Sequence, residues 1–294
     1  MADGRPARLL FGEFSVIGPR LSMSDTFHII AGRQPLVRRI GLDAQAVFEH
    51  PDIKPWRTIP DRQNCTLDFA DEQGRPGRWH VKRYAAVRSP GPTPAEREVA
   101  GIRLLQQAGI PTVPLVAWGV LEDRRSFVII DHLADFGPGD KLLDAGAPFA
   151  RLSDPSADLA AKLHGAGLHH RDLYLCHFFA HVPADPIAEV ELRLIDCARV
   201  KRLPRFLTRA RWILKDLAQF WYSTLKHPDI TDAQRDTWLH RYAATAKVED
   251  VERLRRQIVR KVAWIGRHDV RLNRAQPNRN ISIPTQGPVV GERP

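Results

Sequence analysis

The stretch LHHRDLYLCHFF, residues 168–179, decides the fold of this chain. It contains the tripeptide H-R-D, which ends at Asp172, and His177 is the fifth residue beyond that aspartate. A tripeptide of this kind also occurs by chance, so its meaning depends on what surrounds it. Apolar residues at helical spacing precede it over 152–166, and Gly167 follows them. This pattern predicts a helix that leads directly into the motif.

A strand is predicted on the other side of the motif. The run V-E-L-R-L-I, residues 190–195, alternates apolar and polar side chains, and Asp196 follows it directly. A carboxylate at the end of a buried strand is often only a turn residue. Here Asp172 lies 24 residues earlier in the chain, and two carboxylates brought together by a hairpin suit a hard cation such as Mg²⁺. We therefore interpret Asp196 as a metal ligand.

Upstream, residues 64–70 and 78–84 alternate like strands around a turn-rich segment, which predicts a β-hairpin. The hairpin places Lys82 near the end of its second strand, where a lysine is most often simply solvated. A helix is predicted from about residue 94 to 108, with a capping-box spacing that already explains Glu96. Glu98, 16 residues after Lys82, is the better partner for that lysine.

Two apolar strands follow, residues 115–119 and 126–131. Together these elements have the order found in protein kinases, in which a lysine and a helix glutamate precede an H-R-D loop and a metal-binding aspartate. The sequence therefore predicts an α+β, protein-kinase-like fold with two lobes, a small antiparallel sheet with one helix and a mainly helical lobe. The segment between the lobes is predicted to hold the adenine of ATP; its residues are Ile130, Asp131, His132 and Leu133.

The predicted domain boundaries follow from these elements. Residues 1–50 are interpreted as an irregular N-terminal extension, 51–133 as the N-lobe, 134–266 as the C-lobe and 267–294 as a flexible tail. Within the second lobe, Asp216 interrupts an apolar helix. It either faces solvent or hydrogen-bonds to the backbone of the H-R-D loop.

Composition limits the classes of partner. The 294 residues include 44 basic and 34 acidic side chains, a net charge of +10, which favours nucleotide phosphates or an anionic membrane surface. A basic surface that is only solvated would give the same net charge, so the charge alone does not identify a partner. Nucleic acid is not expected as a partner, because no pattern of basic and aromatic residues accompanies the charge.

The remaining sequence features predict a cytoplasmic protein. The three cysteines, Cys65, Cys176 and Cys197, have no C-x-x-C spacing, which argues against a zinc site or a disulfide framework. No apolar run approaches the ~20 residues of a transmembrane helix, and no signal peptide is evident.

The run HRDLYLCHFFAHVP, followed by LRLIDCARV, resembles the lipopolysaccharide kinase family, which includes the heptose and Kdo kinases of the inner core. In that family histidine takes the place of the usual asparagine, which here is His177. The segments REVAGIRLLQQAGIPT and ARWILKDLAQFWYS are also similar to the family pattern. The resemblance spans about residues 56–230. A glycine-rich phosphate loop, common in kinases, is not visible.

The resemblance implies ATP- and Mg²⁺-dependent phosphoryl transfer to a sugar hydroxyl, with a saccharide or lipopolysaccharide acceptor at the inner membrane surface. It implies that Lys82, oriented by Glu98, holds the α- and β-phosphates, that Asp196 binds Mg²⁺ and that Asp172 accepts the proton of the acceptor hydroxyl. Arg171 braces the loop.

His177 is predicted either to bind the metal or to hydrogen-bond with Asp172, and the second is favoured because imidazole is a poor ligand for Mg²⁺. Two alternatives for the whole chain stay open. The first is a kinase of another small molecule or of a protein. The second is a pseudokinase that acts as a binding or signalling module.

Overall fold

The computed structural model describes residues 24–206 and 208–275. In this part of the chain, an antiparallel sheet with one long helix precedes a lobe made mainly of helices. This arrangement confirms the predicted α+β, protein-kinase-like fold with two lobes.

The N-lobe is built around a six-stranded antiparallel sheet with the strand order β1-β5-β6-β4-β3-β2. Its strands are β1 (Thr26–Ile29), β2 (Lys54–Ile59), β3 (Arg62–Ala70), β4 (Pro76–Tyr84), β5 (Leu115–Val120) and β6 (Ser126–Asp131). Its helices are α1 (Gln34–Ile40), α2 (Ala46–Glu49) and α3 (Pro94–Gln107).

The hairpin of β3 and β4 forms where the alternating pattern predicts it. Trp79 and Val81 are fully buried on one face of β4. Because side chains alternate between the two faces of a strand, Lys82, which follows Val81, points to the opposite face. The turn between the strands is closed by Asp71, whose carboxylate accepts hydrogen bonds from the backbone N–H groups of Gln73 and Arg75. The fixed register of this hairpin determines where the amine of Lys82 lies.

The segment before residue 54 departs from the irregular extension that the sequence predicted for residues 1–50. Strand β1 pairs with β5 and forms an edge of the sheet. The side chains of Val37 and Val47, from α1 and α2, are fully buried in a cluster beneath the sheet. These elements are short, so their pattern in the sequence is weak, and their burial against the sheet stabilises them. Residues 1–23 lie outside the described part of the chain.

Helix α3 begins with the predicted capping box. The Thr93 hydroxyl accepts a hydrogen bond from the Glu96 backbone N–H, and the Glu96 carboxylate accepts one from the Thr93 N–H. On its inner side, α3 crosses the backbone just after Asp196. A Cβ atom on Gly101 would lie 1.9 Å from the Cys197 carbonyl oxygen. Glycine is therefore required for this close approach of helix and loop.

The C-lobe contains five helices and several short strands in the described residues. The helices are α4 (Gly139–Asp144), α5 (Phe149–Gly165), α6 (Arg209–Thr224), α7 (Asp232–Ala246) and α8 (Val251–Ala275). The strands are β7 (Gly137–Pro138), β8 (Leu168–His169), β9 (Phe178–His181), β10 (Glu191–Leu194) and β11 (Lys201–Arg202). Helix α8 continues through residues 267–275, where the sequence predicted the beginning of a flexible tail, and residues 276–294 lie outside the described part.

The core of the C-lobe is aromatic. The rings of Phe220 in α6 and Trp238 in α7 stack with centroids 4.1 Å apart, and Trp238 donates its indole N–H to the Ser156 hydroxyl of α5 at 3.0 Å. The aromatic side chains of α6 are therefore part of the core, and they fix α6 beneath the H-R-D loop. Among the described helices, none combines the length and apolarity that a membrane crossing requires.

Replacing Gly101 with alanine is expected to destabilise the protein by roughly 1–3 kcal/mol, because the new methyl group overlaps the Cys197 carbonyl. Urea unfolding followed by tryptophan fluorescence measures the change. The matched control is Gly165→Ala at the end of α5, where a Cβ meets no atom within 4 Å. That control is expected to be neutral or stabilising by about 0.5–1 kcal/mol. A Gly101→Ala protein as stable as the wild type contradicts the close contact.

Candidate active site

The H-R-D loop is held by a buried carboxylate beneath it. Asp216 of α6, fully buried, accepts hydrogen bonds from the backbone N–H groups of His170 and Arg171 at 2.7 and 2.8 Å. Arg171 has a φ of 70°, a conformation that costs a non-glycine residue free energy. The Lys215 amine donates to the Arg171 carbonyl at 2.6 Å. Of the two roles predicted for Asp216, the structure therefore shows the hydrogen-bonding one.

Asp172, directly after this anchored turn, projects its carboxylate toward a large cavity. Arg199 donates from Nη1 to both carboxylate oxygens at 2.9 Å. Gln219 Nε2 donates a hydrogen bond to Asp172 Oδ1 at 3.4 Å, and Gln219 Oε1 accepts one from the Leu173 backbone N–H. The carboxylate is thus oriented by two side chains, and its remaining acceptor capacity is directed at the cavity.

Lys82 and Glu98 form the predicted ion pair. Lys82 Nζ lies 2.5 Å from Glu98 Oε1, and the second oxygen of Glu98 accepts the Tyr84 hydroxyl at 2.5 Å. Burial disfavours the charge on Lys82, but the carboxylates of Glu98 and Asp196 outweigh burial and hold the pKa of Lys82 above its usual range. Lys82 is therefore a fixed cation in the cleft between the lobes.

Asp196 lies opposite this cation. Its Oδ1 is 3.4 Å from Lys82 Nζ, and its φ of 58° turns the chain sharply after β10. The charge of Lys82 lowers the pKa of Asp196, burial opposes this effect, and the charges of His177 and Arg62 add to it. Asp196 is consequently an ionised carboxylate at neutral pH, as a ligand for a hard cation must be.

His177 lies between the two aspartates. Its Nδ1 is 2.6 Å from the Asp172 carbonyl oxygen, and its Nε2 is 3.7 Å from Asp196 Oδ2. Burial disfavours the charged imidazole, but the hydrogen bond with Cys176, the charge of Asp196 and the Asp172 carbonyl outweigh burial. Together they raise the pKa of His177 to about 10. His177 thus joins the two carboxylate-bearing segments through one ring.

The four residues predicted to hold adenine have different surroundings. Ile130, Asp131 and Leu133 line a cavity of about 170 Å³ between the lobes, which also reaches Lys82 and Asp196. We call this cavity the nucleotide cleft. The Asp131 carboxylate also has two protein partners. It pairs with Arg33 of the N-terminal segment, and it accepts a hydrogen bond from the Trp79 indole N–H at 3.0 Å.

His132 makes a different contact. Its Nδ1 is 3.1 Å from His80 Nε2, and its backbone N–H donates to the Arg78 carbonyl at 3.1 Å. Burial is the main cause that lowers the pKa of His80 to about 4, so this residue of the cleft wall is neutral.

A second cavity, of about 1190 Å³, adjoins the first on the other side of His177. We call it the acceptor cavity. Asp172 lies at its inner end, and α8 forms its outer wall with Lys261, Trp264 and His268. Further cationic side chains line it; they are Lys141, Arg199, Lys215 and Lys226. The same cavity is also lined by acidic side chains; they are Asp61, Asp140, Asp144 and Asp269. The arrangement places the Asp172 carboxylate in a large cavity of mixed charge that adjoins the smaller cleft.

The side chains of the cleft suit Mg²⁺ only when oxygens of phosphate and water complete the coordination of the ion. Among the described residues, no cluster of three or more histidine, cysteine, aspartate or glutamate side chains suits a metal ion. Mg²⁺ characteristically binds one or two carboxylates and takes its other ligands from phosphates and water. Asp196 supplies such a carboxylate beside Lys82, so the site fits a phosphate-bound Mg²⁺ and not a dedicated protein cage.

Three residues that orient the site were not predicted from the sequence: Tyr84, Arg199 and Gln219. Tyr84 had a usable signal, because it lies two residues after Lys82 on the same face of β4. Gln219 lies three residues after Asp216 on α6, and residues at this spacing share a helix face. Arg199 was hidden within a basic segment, where no pattern distinguishes one arginine from its neighbours.

Replacing Asp216 with asparagine is expected to destabilise the protein by roughly 1.5–3 kcal/mol, because the amide cannot accept both buried backbone N–H groups. The control is Asp158→Asn, which removes an exposed pair with Arg241 and is expected to cost about 0–1 kcal/mol. Equal effects of the two substitutions in urea unfolding contradict this role of Asp216.

The Asp216 effect is also expected to depend on pH. Burial opposes ionisation, but the hydrogen bonds from His164 and the His170 backbone help to lower the pKa of Asp216. A carboxyl with a lowered folded-state pKa stabilises the protein above its unfolded value of about 3.9, and this stabilisation is lost as the pH falls through the folded value. The stability difference between wild type and Asp216→Asn is therefore expected to be constant from about pH 5 to 8 and to shrink below about pH 4. A difference that grows on acidification contradicts the assignment.

Several proteins are similar to this chain. The lipopolysaccharide core heptose(I) kinase WaaP of Escherichia coli is 30% identical over 187 residues, which are 55% of this chain and 66% of that protein. The chain thus spans slightly less than two thirds of its length. The protein of the same name from Escherichia coli K12 is 29% identical over 67% of this chain and 80% of its own length. The Pseudomonas aeruginosa WaaP is 33% identical over 48% and 56%.

Two solved structures have more distant similarity. The crystal structure of WbdD covers 72% of this chain and 50% of its own, with 15% identity and a TM-score of 0.41. The structure of a Neurospora crassa PAN3 pseudokinase mutant covers 77% of this chain and 67% of its own, with 14% identity and a TM-score of 0.38.

The family model described as the lipopolysaccharide kinase (Kdo/WaaP) family matches residues 77–242. This match runs from β4, with Lys82, through α7, and it includes Glu98, Asp172, Asp196 and Asp216. Since it covers more than half of the chain, the protein belongs to the lipopolysaccharide kinase (Kdo/WaaP) family.

Proposed function

We propose that this protein transfers the γ-phosphoryl group of ATP to a hydroxyl of a lipopolysaccharide inner-core saccharide, a heptose or Kdo. The observation that carries the proposal is the arrangement around His177. The ion pair of Lys82 and Glu98 and the carboxylate of Asp196 lie in the nucleotide cleft, and Asp172 lies in the adjoining acceptor cavity. The relatives described above are named heptose(I) kinases.

In this proposal the nucleotide is bound by the N-lobe. Ile130, Asp131 and Leu133 form the wall for the adenine, and His132 supports this wall through its contact with His80. Lys82, oriented by Glu98, binds the α- and β-phosphates. Asp196 is the ligand for Mg²⁺, which supplies positive charge to the phosphate oxygens when it is bound.

Asp172 acts on the acceptor. It accepts the proton of the sugar hydroxyl while the hydroxyl oxygen forms its bond to the γ-phosphorus, and the bond from that phosphorus to ADP breaks. Arg199 and Gln219 hold the carboxylate in position. Since phosphoryl transfer has a loose transition state, positioning and charge neutralisation supply most of the rate.

His177 and Arg171 are positioning residues in this proposal. The contacts of His177 with the Asp172 carbonyl and the Asp196 carboxylate set the separation of the two segments. A protonated imidazole has no lone pair for a metal, so of its two predicted roles the hydrogen-bonding one is favoured. The guanidinium of Arg171 lies 4.4 Å from the ring of Trp212, which braces the loop against α6.

The acceptor cavity suits a carbohydrate acceptor, because its lining combines charges of both signs with an aromatic side chain. Lys215, Lys226 and Lys261 supply positive charge, and Asp140, Asp144 and Asp269 supply acceptors for sugar hydroxyls. Trp264, about half exposed, presents an aromatic face for a sugar ring. We further propose that the protein is cytoplasmic and works at the surface of the inner membrane, where a net charge of +10 favours an anionic surface.

The division into lobes is also proposed to follow the predicted boundaries. Leu133 ends the N-lobe after β6, and Ala134 begins the C-lobe, whose last described helix, α8, continues beyond the predicted boundary at residue 266 to Ala275. The nucleotide cleft lies at this division, because its lining residues come from both sides of it.

The proposal is tested by transfer of radiolabel from γ-labelled ATP into a lipopolysaccharide extract, beside a reaction with protein alone. Label is expected in the saccharide fraction with wild type. Replacement of Asp172 by alanine is expected to reduce the rate by roughly 10²–10⁴-fold, because the base is removed, and to leave ATP binding unchanged. The control is Asp154→Ala at an exposed position of α5, which should retain the wild-type rate. An Asp172→Ala protein that transfers at the wild-type rate overturns the assigned role.

A thermal shift separates a kinase from a pseudokinase. A ligand that binds only the folded state raises the melting temperature, so ATP with Mg²⁺ is expected to stabilise the wild type more than either alone. Replacement of Asp196 by asparagine should remove the contribution of Mg²⁺ and leave that of ATP. No stabilisation at millimolar ligand supports the alternative of a binding module without catalysis.

A further inference from the structure

The turn that faces the phosphate end of the cleft is very short. Strand β2 ends at Ile59 and β3 begins at Arg62, so only Pro60 and Asp61 connect them. The Asp61 carbonyl accepts the Ala85 backbone N–H at 3.0 Å, which ties the turn to the end of β4. In protein kinases a glycine-rich loop covers the phosphates. A two-residue turn that contains proline has too few backbone N–H groups to replace it.

Arg62, the first residue of β3, lies where such a loop would act. It is half-buried and lines both the nucleotide cleft and the acceptor cavity. His177 is the other residue shared by these two linings. The phosphoryl group passes from one cavity to the other, so a side chain shared by both is close to its path.

Within the described residues, Arg62 forms no direct ion pair. Its Nε is buried without a hydrogen bond, and its charge acts on Asp196 only from beyond ion-pair distance. Arg199, by contrast, is committed to Asp172, and Arg75, on the same hairpin, pairs with Asp71. Because burying a cation without a partner costs free energy, the position of Arg62 favours an anionic ligand.

We propose that the guanidinium of Arg62 binds the γ-phosphate of ATP and the phosphoryl group during transfer, in place of a glycine-rich loop. The inference rests on the proposed kinase function and adds a residue to it. A guanidinium donates two parallel N–H bonds to phosphate oxygens and stays protonated throughout. In the transfer described above, Arg62 therefore donates hydrogen bonds to the non-bridging oxygens and exchanges no proton.

The test compares the affinities of ATP and ADP, each with Mg²⁺, because only ATP carries the γ-phosphate. Isothermal titration calorimetry measures both affinities for the wild type, Arg62→Ala and Arg62→Lys. The control is Arg75→Ala, which removes an exposed arginine of the same hairpin. Arg62→Ala is expected to weaken ATP binding by roughly 10–100-fold, the effect of losing charged hydrogen bonds. It should change ADP binding by less than about 3-fold, since ADP lacks the group that Arg62 binds. Arg62→Lys should restore part of the ATP affinity, and Arg75→Ala should match the wild type.

The outcomes separate this inference from the function on which it rests. If Arg62→Ala keeps the wild-type ratio of ATP to ADP affinity, the γ-phosphate role is wrong, even though the protein binds nucleotides. Wild-type protein that binds neither nucleotide overturns the kinase proposal itself, and the role of Arg62 with it. Melting temperatures establish that the variants are folded, and Arg62→Gln replaces the alanine variant in the comparison if the latter is unfolded.

Discussion

A single buried carboxylate holds the catalytic loop in place. Asp216 receives two consecutive backbone N–H groups, those of His170 and Arg171, and so fixes a backbone conformation that Arg171 would otherwise avoid. The position of Asp172 follows from this turn, and the position of His177 follows from its bond to the Asp172 carbonyl. The positions of Asp172 and His177 therefore depend on one side chain that lines neither cavity, and an ionised carboxylate without these two donors would be costly to bury.

The nucleotide side of the site is organised by close backbone packing. Helix α3 approaches the segment after Asp196 so closely that only glycine fits at residue 101. This contact brings Glu98 to Lys82 and brings both to Asp196. Charge pairing and steric fit thus support the same arrangement, in which Lys82 Nζ lies 3.4 Å from Asp196 Oδ1.

Most of the fold and the principal site residues were predictable because their signals are local. The β3–β4 hairpin, the capping box of α3 and the aspartate after β10 each depend on a few adjacent residues. Strand β1 was not assigned to the sheet, since four residues carry little periodicity and the pairing with β5 spans about ninety residues. Arg199 and Gln219 were missed for the same reason: their partner Asp172 is 27 and 47 residues away, and no spacing rule connects them.

The contact between Gly101 and the Cys197 carbonyl also bears on regulation. Outward rotation of α3 would separate Glu98 from Lys82 and from Tyr84 at once and would open a gap against the Cys197 backbone. Closely packed interfaces of this kind shift between discrete arrangements and do not deform gradually. Movement of α3 is therefore expected to form or break the contacts of Glu98 with Lys82 and Tyr84 together, in one step and not by degrees.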